Sequence, residues 1–248
     1  MVKLLAVTLG FCAAACSHNS GFKKAPPAVT AATDMQLAIE YMRMGKLALS
    51  RDFMERALSE DPSNPDVQMT AGLVYERLND MRKAEHAYSA GFRLGKGDPN
   101  IQNTYAGFLC RTGKAVAGEK LFAEVAANPL YQTPDVALVN AGVCVRGTGD
   151  LVDAEKYFNR ALAIHPNLPE AMLQLGNSAF DRGDSAQAHD IVQRYLSVNP
   201  ATPEVLWLGF RAERKLGDAT MAASYARRVQ TEFPNSEQAQ MMRSGIDR

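Results

Sequence analysis

The stretch Ala57-Leu58-Ser59-Glu60-Asp61-Pro62 returns later in the chain as Ala161-Leu162-Ala163-Ile164-His165-Pro166. The same five-residue gap separates Tyr195 from Pro200 and Val229 from Pro234. Counting back from these prolines divides the chain into six segments, which start near residues 31, 65, 99, 135, 169 and 203. The steps are 34, 34, 36, 34 and 34 residues, so two residues are inserted near 128–133. A period of this size predicts an array of stacked helix pairs.

Corresponding slots of the segments carry the same kind of residue, as a helix-pair array requires. Small residues stand where two helices would cross, at Ala38, Gly72, Ala106, Gly142 and Gly176, and again at Ser50, Ala84, Gly118, Ala154, Ala188 and Ala222. Large apolar residues follow at Met54, Tyr88, Phe122, Phe158 and Val192. Residues that tolerate a left-handed helix end occupy the turns, at Gly45, Asn79, Gly113, Gly149, Gly183 and Gly217. The sixth segment is the weakest match, because Phe210 fills a small slot and Ala226 a large one.

This pattern resembles the tetratricopeptide repeat, or TPR, a 34-residue helix-turn-helix unit. The resemblance implies an all-α fold, a right-handed superhelical solenoid of six TPR helix pairs over residues 34–248. A solenoid needs a polar cap at its end, and residues 236–246 are expected to form a C-terminal capping helix. The alternative is another kind of helix-pair array.

Composition argues against several classes of protein. The 248 residues include 27 Lys and Arg and 27 Asp and Glu. The chain therefore lacks the excess of positive charge that would indicate nucleic-acid binding. No apolar run reaches the roughly 18 residues that a membrane-spanning helix needs.

The N-terminus resembles an export signal. Lys3 precedes an apolar run from Leu4 to Ala15, which has the length of a signal-peptide core. The run ends in Ala13-Ala14-Ala15-Cys16-Ser17, similar to the lipobox of bacterial lipoproteins. We therefore expect a lipoprotein signal peptide at 1–15, lipidation of Cys16, and a flexible tether over 16–33. Two alternatives stay open, namely an ordinary secretory signal with an incidental Cys16, and a buried N-terminal helix.

Two cysteines remain outside the export segment, which also contains Cys12. They are Cys110 and Cys144, at the ends of the first helices of repeats three and four. Because first helices of neighbouring repeats pack side by side and exported cysteines are usually paired, we expect a Cys110–Cys144 disulfide. The alternative is a pair of buried free thiols.

Motifs that carry chemistry are not found. The histidines, His18, His86, His165 and His189, are far apart and lie in no metal-ligand spacing. The stretch Gly147-Thr148-Gly149 follows no strand and reads as a helix turn rather than a nucleotide loop. We therefore expect no enzyme activity, no cofactor and no metal.

The TPR resemblance implies which side chains line the concave groove, since positions 2, 5, 9, 12 and 13 of a repeat point inward. At these positions an apolar stripe is expected to form a protein-binding groove from Met35, Ile39, Met42, Met69, Leu73, Val139 and Val143. The alternative is that these residues are covered as ordinary core. A secondary basic and aromatic patch follows in repeat six, at Trp207, Arg211, Arg214 and Lys215. The alternative there is a solvated face against the C-terminal segment. Met35 and Ile39 stand where a carboxylate clamp needs Lys and Asn, which excludes that class of partner.

The whole chain resembles the type IV pilus biogenesis lipoproteins of the PilF/PilW type. The residues that carry the resemblance are Phe108-Leu109-Cys110-Arg111-Thr112-Gly113 and Asn140-Ala141-Gly142-Val143-Cys144, together with the lipobox-like signal. The resemblance implies a monomeric pilotin, anchored by lipid on the periplasmic face of the outer membrane, which assists localisation and multimerisation of the pilus secretin. The alternative is a periplasmic TPR lipoprotein that scaffolds cell-envelope or peptidoglycan assembly.

Overall fold

The computed structural model describes residues 26–245, and this part of the chain contains helices and no strand. The predicted signal peptide at 1–15 and the lipidation site at Cys16 lie outside the described residues. The thirteen helices are α1 Pro27–Arg43, α2 Leu47–Glu60, α3 Pro65–Arg77, α4 Met81–Leu94, α5 Pro99–Arg111, α6 Ala115–Ala127, α7 Pro134–Arg146, α8 Leu151–Ile164, α9 Pro169–Asp181, α10 Ser185–Val198, α11 Pro203–Leu216, α12 Ala219–Glu232 and α13 Glu237–Ser244.

Local sequence explains where the helices begin and end. Proline occupies the first turn of α1, α3, α5, α7, α9 and α11, where its fixed φ suits the helix and its missing N–H is not needed. Aspartate caps most second helices, as Asp80 does by accepting a hydrogen bond from the Lys83 N–H at 3.1 Å. All six turn residues predicted to be left-handed have positive φ, between 59° at Asn79 and 91° at Gly149 and Gly183.

Each repeat is an antiparallel helix pair that closes where a glycine or alanine faces a large side chain. A Cβ on Gly72 would lie 2.7 Å from the Tyr88 ring, and a Cβ on Gly142 would collide with the fully buried Phe158. The first helices of neighbouring repeats also pack directly against one another, from α1–α3 through to α9–α11. The first helices therefore line the inner face of a solenoid, as predicted.

The insertion between repeats three and four is confirmed. Six residues, 128–133, connect α6 to α7, whereas four connect the other pairs of repeats. The sixth repeat fits better than predicted, because the helix crossing moves by one residue. Gly209 faces Tyr225 there, with a hypothetical Cβ only 2.9 Å from the ring, and so replaces the poorly matched Phe210 and Ala226. Helix α13 then packs on α11 and α12 as the predicted cap.

The tether predicted over 16–33 is wrong at its C-terminal end, because α1 begins at Pro27. Pro27 starts the helix in the same way as the other first-turn prolines, and Ala31 is buried against the array. One turn further on, Asp34 is buried and bonds the Arg56 guanidinium at 3.0 Å, which ties α1 to α2. The first repeat therefore starts with a longer helix than the other repeats have.

Candidate functional site

A groove with a volume of about 810 Å³ crosses the inner face of repeats two to four. Its lining comes mainly from three first helices, α3, α5 and α7, with a smaller contribution from side chains of α4 and α6. The residues that line it include Met69, Thr70, Leu73, Asn103, Gly107, Cys110, Arg111, Asn140, Val143 and Cys144.

The groove exists because α5 has no side chain at its middle. Leu73 of α3 and Val143 of α7 stand on either side, and Gly107 occupies α5 between them. A Cβ on Gly107 would have only two heavy-atom neighbours within 4 Å, Arg111 Nη1 at 3.1 Å and Phe122 Cζ at 3.9 Å. No buried ring or backbone atom blocks a side chain here, but the Arg111 guanidinium would have to shift by a few tenths of an ångström. Glycine inside a helix costs roughly 0.5–1 kcal/mol relative to alanine. Sequence reasoning missed Gly107, and its only signal is a glycine in a series of larger inward-facing residues.

The predicted apolar stripe divides into exposed and covered parts. Leu73 is 37% exposed and Val143 is 42% exposed, and both line the groove. Met69 borders the groove from beneath but is only 6% exposed, and Val139 at 4% belongs to the core shared with repeat five. The expectation that Met69 and Val139 are exposed is therefore wrong, because neighbouring helices cover them.

The three predicted residues of repeat one lie beside the groove rather than in it. Met35, Ile39 and Met42 are half-buried. Met35 and Met42 pack against the core cluster that contains Met54 and Tyr88. Met35 and Met42 therefore behave largely as core residues, as the alternative interpretation of the stripe expected. Binding by any residue of the stripe stays a prediction.

Two asparagines supply polar groups at the wall of the groove. Asn140 Nδ2 of α7 donates a hydrogen bond to Asn103 Oδ1 of α5 at 3.4 Å. This pairing leaves the Asn103 amide as a donor and the Asn140 carbonyl as an acceptor, since neither makes another hydrogen bond with a described residue. Sequence reasoning did not single out either asparagine for this role.

A partly buried ion pair with Glu76 orients the Arg111 guanidinium in the groove. Arg111 Nε and Nη2 donate to Glu76 Oε1 and Oε2 at 2.6 and 3.0 Å, and the Tyr88 hydroxyl donates to Glu76 Oε2 at 2.9 Å. The Arg111 hydrogen bond lowers the pKa of Glu76, and in return Glu76 raises the pKa of Arg111. Burial, followed by the charge of Glu76, raises the pKa of Tyr88. Arg111 Nη1 takes no part in this pairing and faces Gly107.

The predicted disulfide is present and joins α5 to α7 beside the groove. Cys110 and Cys144 are bonded across a sequence separation of 34 residues, with their Cα atoms 5.4 Å apart. The structure therefore contradicts the alternative of two free thiols. The bond holds two of the groove's three helices together, and the stretch of chain that it closes contains the two-residue insertion.

The predicted secondary patch forms a stacked cluster at the far end of the inner face. The Arg211 guanidinium lies 4.0 Å from the centroid of the Phe180 ring, and Trp207 packs against Phe210 with centroids 5.4 Å apart. Arg214 lies over the Phe210 ring at 5.6 Å, while Lys215 is exposed. These contacts fill the inner face of repeats five and six with the protein's own side chains.

Residues 26–245 contain no cluster of three or more potential metal ligands. In the same part of the chain, no helix combines the length and the apolar character that spanning a membrane requires. Two histidines form local pairs, since His189 Nδ1 lies 2.5 Å from Glu213 and His165 Nδ1 lies 3.4 Å from Asp135.

The tetratricopeptide repeat family matches the chain over residues 35–99 and 146–208, together more than half of its length. A solved structure described as PilW, a widely conserved type IV pilus biogenesis factor, is 30% identical with a TM-score of 0.73. That alignment covers 86% of this chain and 97% of PilW. The chain belongs to the PilW family of tetratricopeptide repeat proteins.

Two further solved structures support the fold of this PilW-family protein. PilF of Pseudomonas aeruginosa is 20% identical with a TM-score of 0.67, over 88% of this chain and 99% of PilF. A tetratricopeptide repeat protein from Parabacteroides merdae is 16% identical with a TM-score of 0.67, over 86% of this chain and 83% of that protein. No curated protein sequence matches this chain. Proteins built on this repeat are typically non-catalytic scaffolds, which bind partners through the inner face.

Proposed function

We propose that this chain is an outer-membrane lipoprotein that acts as a pilotin in type IV pilus biogenesis. In this proposal the lipid on Cys16 anchors the protein to the periplasmic face of the membrane, and the inner groove captures the secretin subunit. The observation that carries the proposal is the similarity to PilW, which extends over nearly the whole length of both chains at 30% identity.

The geometry of the groove supports a binding role. The groove combines exposed apolar walls at Leu73 and Val143 with polar groups at Asn103 and Asn140. Apolar surface rimmed by hydrogen-bonding groups is typical of protein-binding sites. The binding surface in this proposal is centred on repeats two to four, rather than on the methionines of repeat one.

The proposed anchor and groove would act together. If Cys16 is lipidated, the ten residues from Ser17 to Pro26 separate it from α1, and at full extension they span at most roughly 35 Å. A secretin subunit bound in the groove would therefore stay close to the membrane. Two attachments on one molecule raise the local concentration of secretin where it must assemble.

Immunoblotting of the heat- and detergent-resistant secretin multimer in outer membranes tests this proposal. We expect the multimer to be lost on deletion of the gene, restored by the wild-type protein, and reduced with Cys16→Ala at equal protein level. Unchanged multimers in the deletion strain would contradict the pilotin role and favour a role in cell-envelope scaffolding.

A further inference from the structure

We propose that the space over Gly107 is a specificity pocket, which accepts one large apolar side chain of an extended partner segment with a carboxylate beside it. This inference rests on the proposed function in taking the groove as the binding surface, and it names the chemistry of the segment that binds. Its support comes from the shape, the hydrogen-bonding groups and the charges around Gly107.

The shape of the pocket indicates a large apolar side chain. The glycines at the helix crossings are required, since a Cβ on Gly72 or Gly142 would meet a buried aromatic ring. Gly107 has no such neighbour, and the space that it leaves lies between the exposed side chains of Leu73 and Val143. An apolar side chain from a partner would fill this space and cover both walls.

The hydrogen-bonding groups indicate an extended segment. The Asn103 amide offers a donor and the Asn140 carbonyl an acceptor, and both are free of other partners among the described residues. An extended segment presents unpaired backbone N–H and C=O groups, whereas a helix has already paired its own. The two asparagines are bonded to each other and lie about one turn before Gly107 and Val143, so they match one backbone N–H and one C=O of an extended segment beside the seated side chain.

The charges indicate a carboxylate toward one edge of the groove. Arg77, one turn after Leu73 on α3, is exposed, and its charge acts on Glu76 without a direct ion pair between the two. Arg111 Nη1 also makes no hydrogen bond with a described residue and lies next to Gly107. Since Glu76 already neutralises much of the Arg111 charge, a carboxylate adjacent to the apolar side chain would chiefly complement the Arg77 guanidinium.

The decisive variant fills the pocket without disturbing the core. Gly107→Leu should place its side chain toward Asn103, because helical side chains lean toward the helix N-terminus. Leucine is the better helix former but must displace the Arg111 guanidinium, so we expect the melting temperature to change by no more than about 2 °C. Ala117→Leu, at an exposed position of the second helix α6, is the matched control. Gly107→Ala, which fills less of the pocket, should have a smaller effect on binding and serves if the leucine variant is unstable.

The probe is a library of phage-displayed random linear peptides, selected on the immobilised full chain in detergent. We expect enrichment of peptides with Leu, Ile, Phe or Met next to Asp or Glu. Their dissociation constants should rise at least about tenfold on Gly107→Leu and stay unchanged on Ala117→Leu. Arg77→Glu should weaken the acidic peptides selectively. Equal binding to wild type and Gly107→Leu, or no enriched consensus of this kind, would overturn the pocket.

Retention of the purified secretin by the same immobilised variants separates this inference from the proposed function. If secretin is retained equally by wild type and Gly107→Leu, the pocket is wrong and the pilotin proposal stands. If the peptide result holds while wild type retains no secretin, the pocket stands and the assignment of secretin as partner fails.

Discussion

The inner face of this solenoid is built differently at its middle and at its C-terminal end. In repeat three the centre of the inner face is Gly107, and the groove passes over it. In repeat six the corresponding residue is Arg211, which stacks on Phe180 and fills that space. The same backbone therefore forms a groove in repeat three, where residue 107 has no side chain, and a closed surface in repeat six, where the side chains pack on each other.

The disulfide marks the middle region as the one that needs reinforcement. It closes a loop of 34 residues, and that loop contains the longest connection between repeats. In the chain-entropy account such a cross-link stabilises by about 4 kcal/mol, less any strain. The C-terminal end has no disulfide among the described residues and is instead covered by α13.

The largest predicted effect comes from removing this bond. We expect Cys110→Ser with Cys144→Ser, or reduction of the wild type, to lower the free energy of unfolding by up to about 4 kcal/mol. Denaturant titration followed by circular dichroism measures the whole chain, while the single tryptophan, Trp207, reports on the C-terminal end.

Because repeat arrays can lose stability locally, the circular dichroism transition should move to lower denaturant more than the Trp207 transition does. Equal unfolding curves for oxidised and reduced protein would contradict the structural role given to the bond.

The second prediction compares two glycines of the middle region. Gly142→Ala should destabilise the protein by about 1–3 kcal/mol, since the added methyl group overlaps the buried Phe158 ring. Gly107→Ala should leave stability unchanged or raise it by about 0.5 kcal/mol, once the Arg111 guanidinium moves slightly aside. Thermal unfolding of Gly142→Ala and Gly107→Ala measures this difference. Similar losses of stability in the two variants would mean that Gly107 is also required for packing.

The third prediction concerns the ion pair under the groove. Arg111 lowers the pKa of Glu76 below its ordinary value of 4.5, so the ionised pair stabilises the fold at neutral pH and this contribution is lost as the pH falls through the lowered pKa. Glu76→Gln should cost about 1 kcal/mol at pH 7, a modest value because Arg111 is half exposed.

The unfolding free energies of the wild type and of Glu76→Gln should therefore converge as the pH falls below 4.5. A difference that is independent of pH would show that the charge of Glu76 does not contribute. Glu85→Gln, which removes an exposed pair with Lys114, is the matched control and should change stability less.

The smallest predicted effect lies at the C-terminal end. Arg211→Ala removes the stacking on Phe180 and should lower stability by about 0.5–1 kcal/mol, with a change in Trp207 emission. Binding of the partner in the middle groove should not change. A strong loss of binding would move the site from the middle region to the C-terminal patch.

The repeat architecture could be predicted from sequence because its packing is written at fixed spacing. Gly72 and Gly142 each pack against an aromatic ring sixteen residues later in the chain. Asn79 and the equivalent glycines have the positive φ that ends each first helix. The disulfide could be predicted for the same reason, since the register places Cys110 and Cys144 on neighbouring helices.

The site was harder to predict, because it depends on which inward-facing residues their neighbours cover. Met69 and Val139 both stand at position 5 of their repeats and are buried, whereas Leu73 and Val143 stand at position 9 and are exposed. The TPR pattern counts both positions as inward-facing, so the sequence did not separate the covered position from the open one. Gly107 could be recognised as a pocket only after its surroundings were known to be open. The start of α1 at Pro27 was not predicted, because adjacent prolines are as typical of an extended tether as of the first turn of a helix.

Isothermal titration of the full chain with purified secretin tests the central claim most directly. The groove variant, Leu73→Asp with Val143→Asp, should bind at least about tenfold more weakly than wild type. The matched control, Val116→Asp with Val152→Asp, changes two exposed valines on second helices and should bind like wild type. Equal affinity of the groove variant and the wild type would contradict the claim that the middle of the inner face is the binding site.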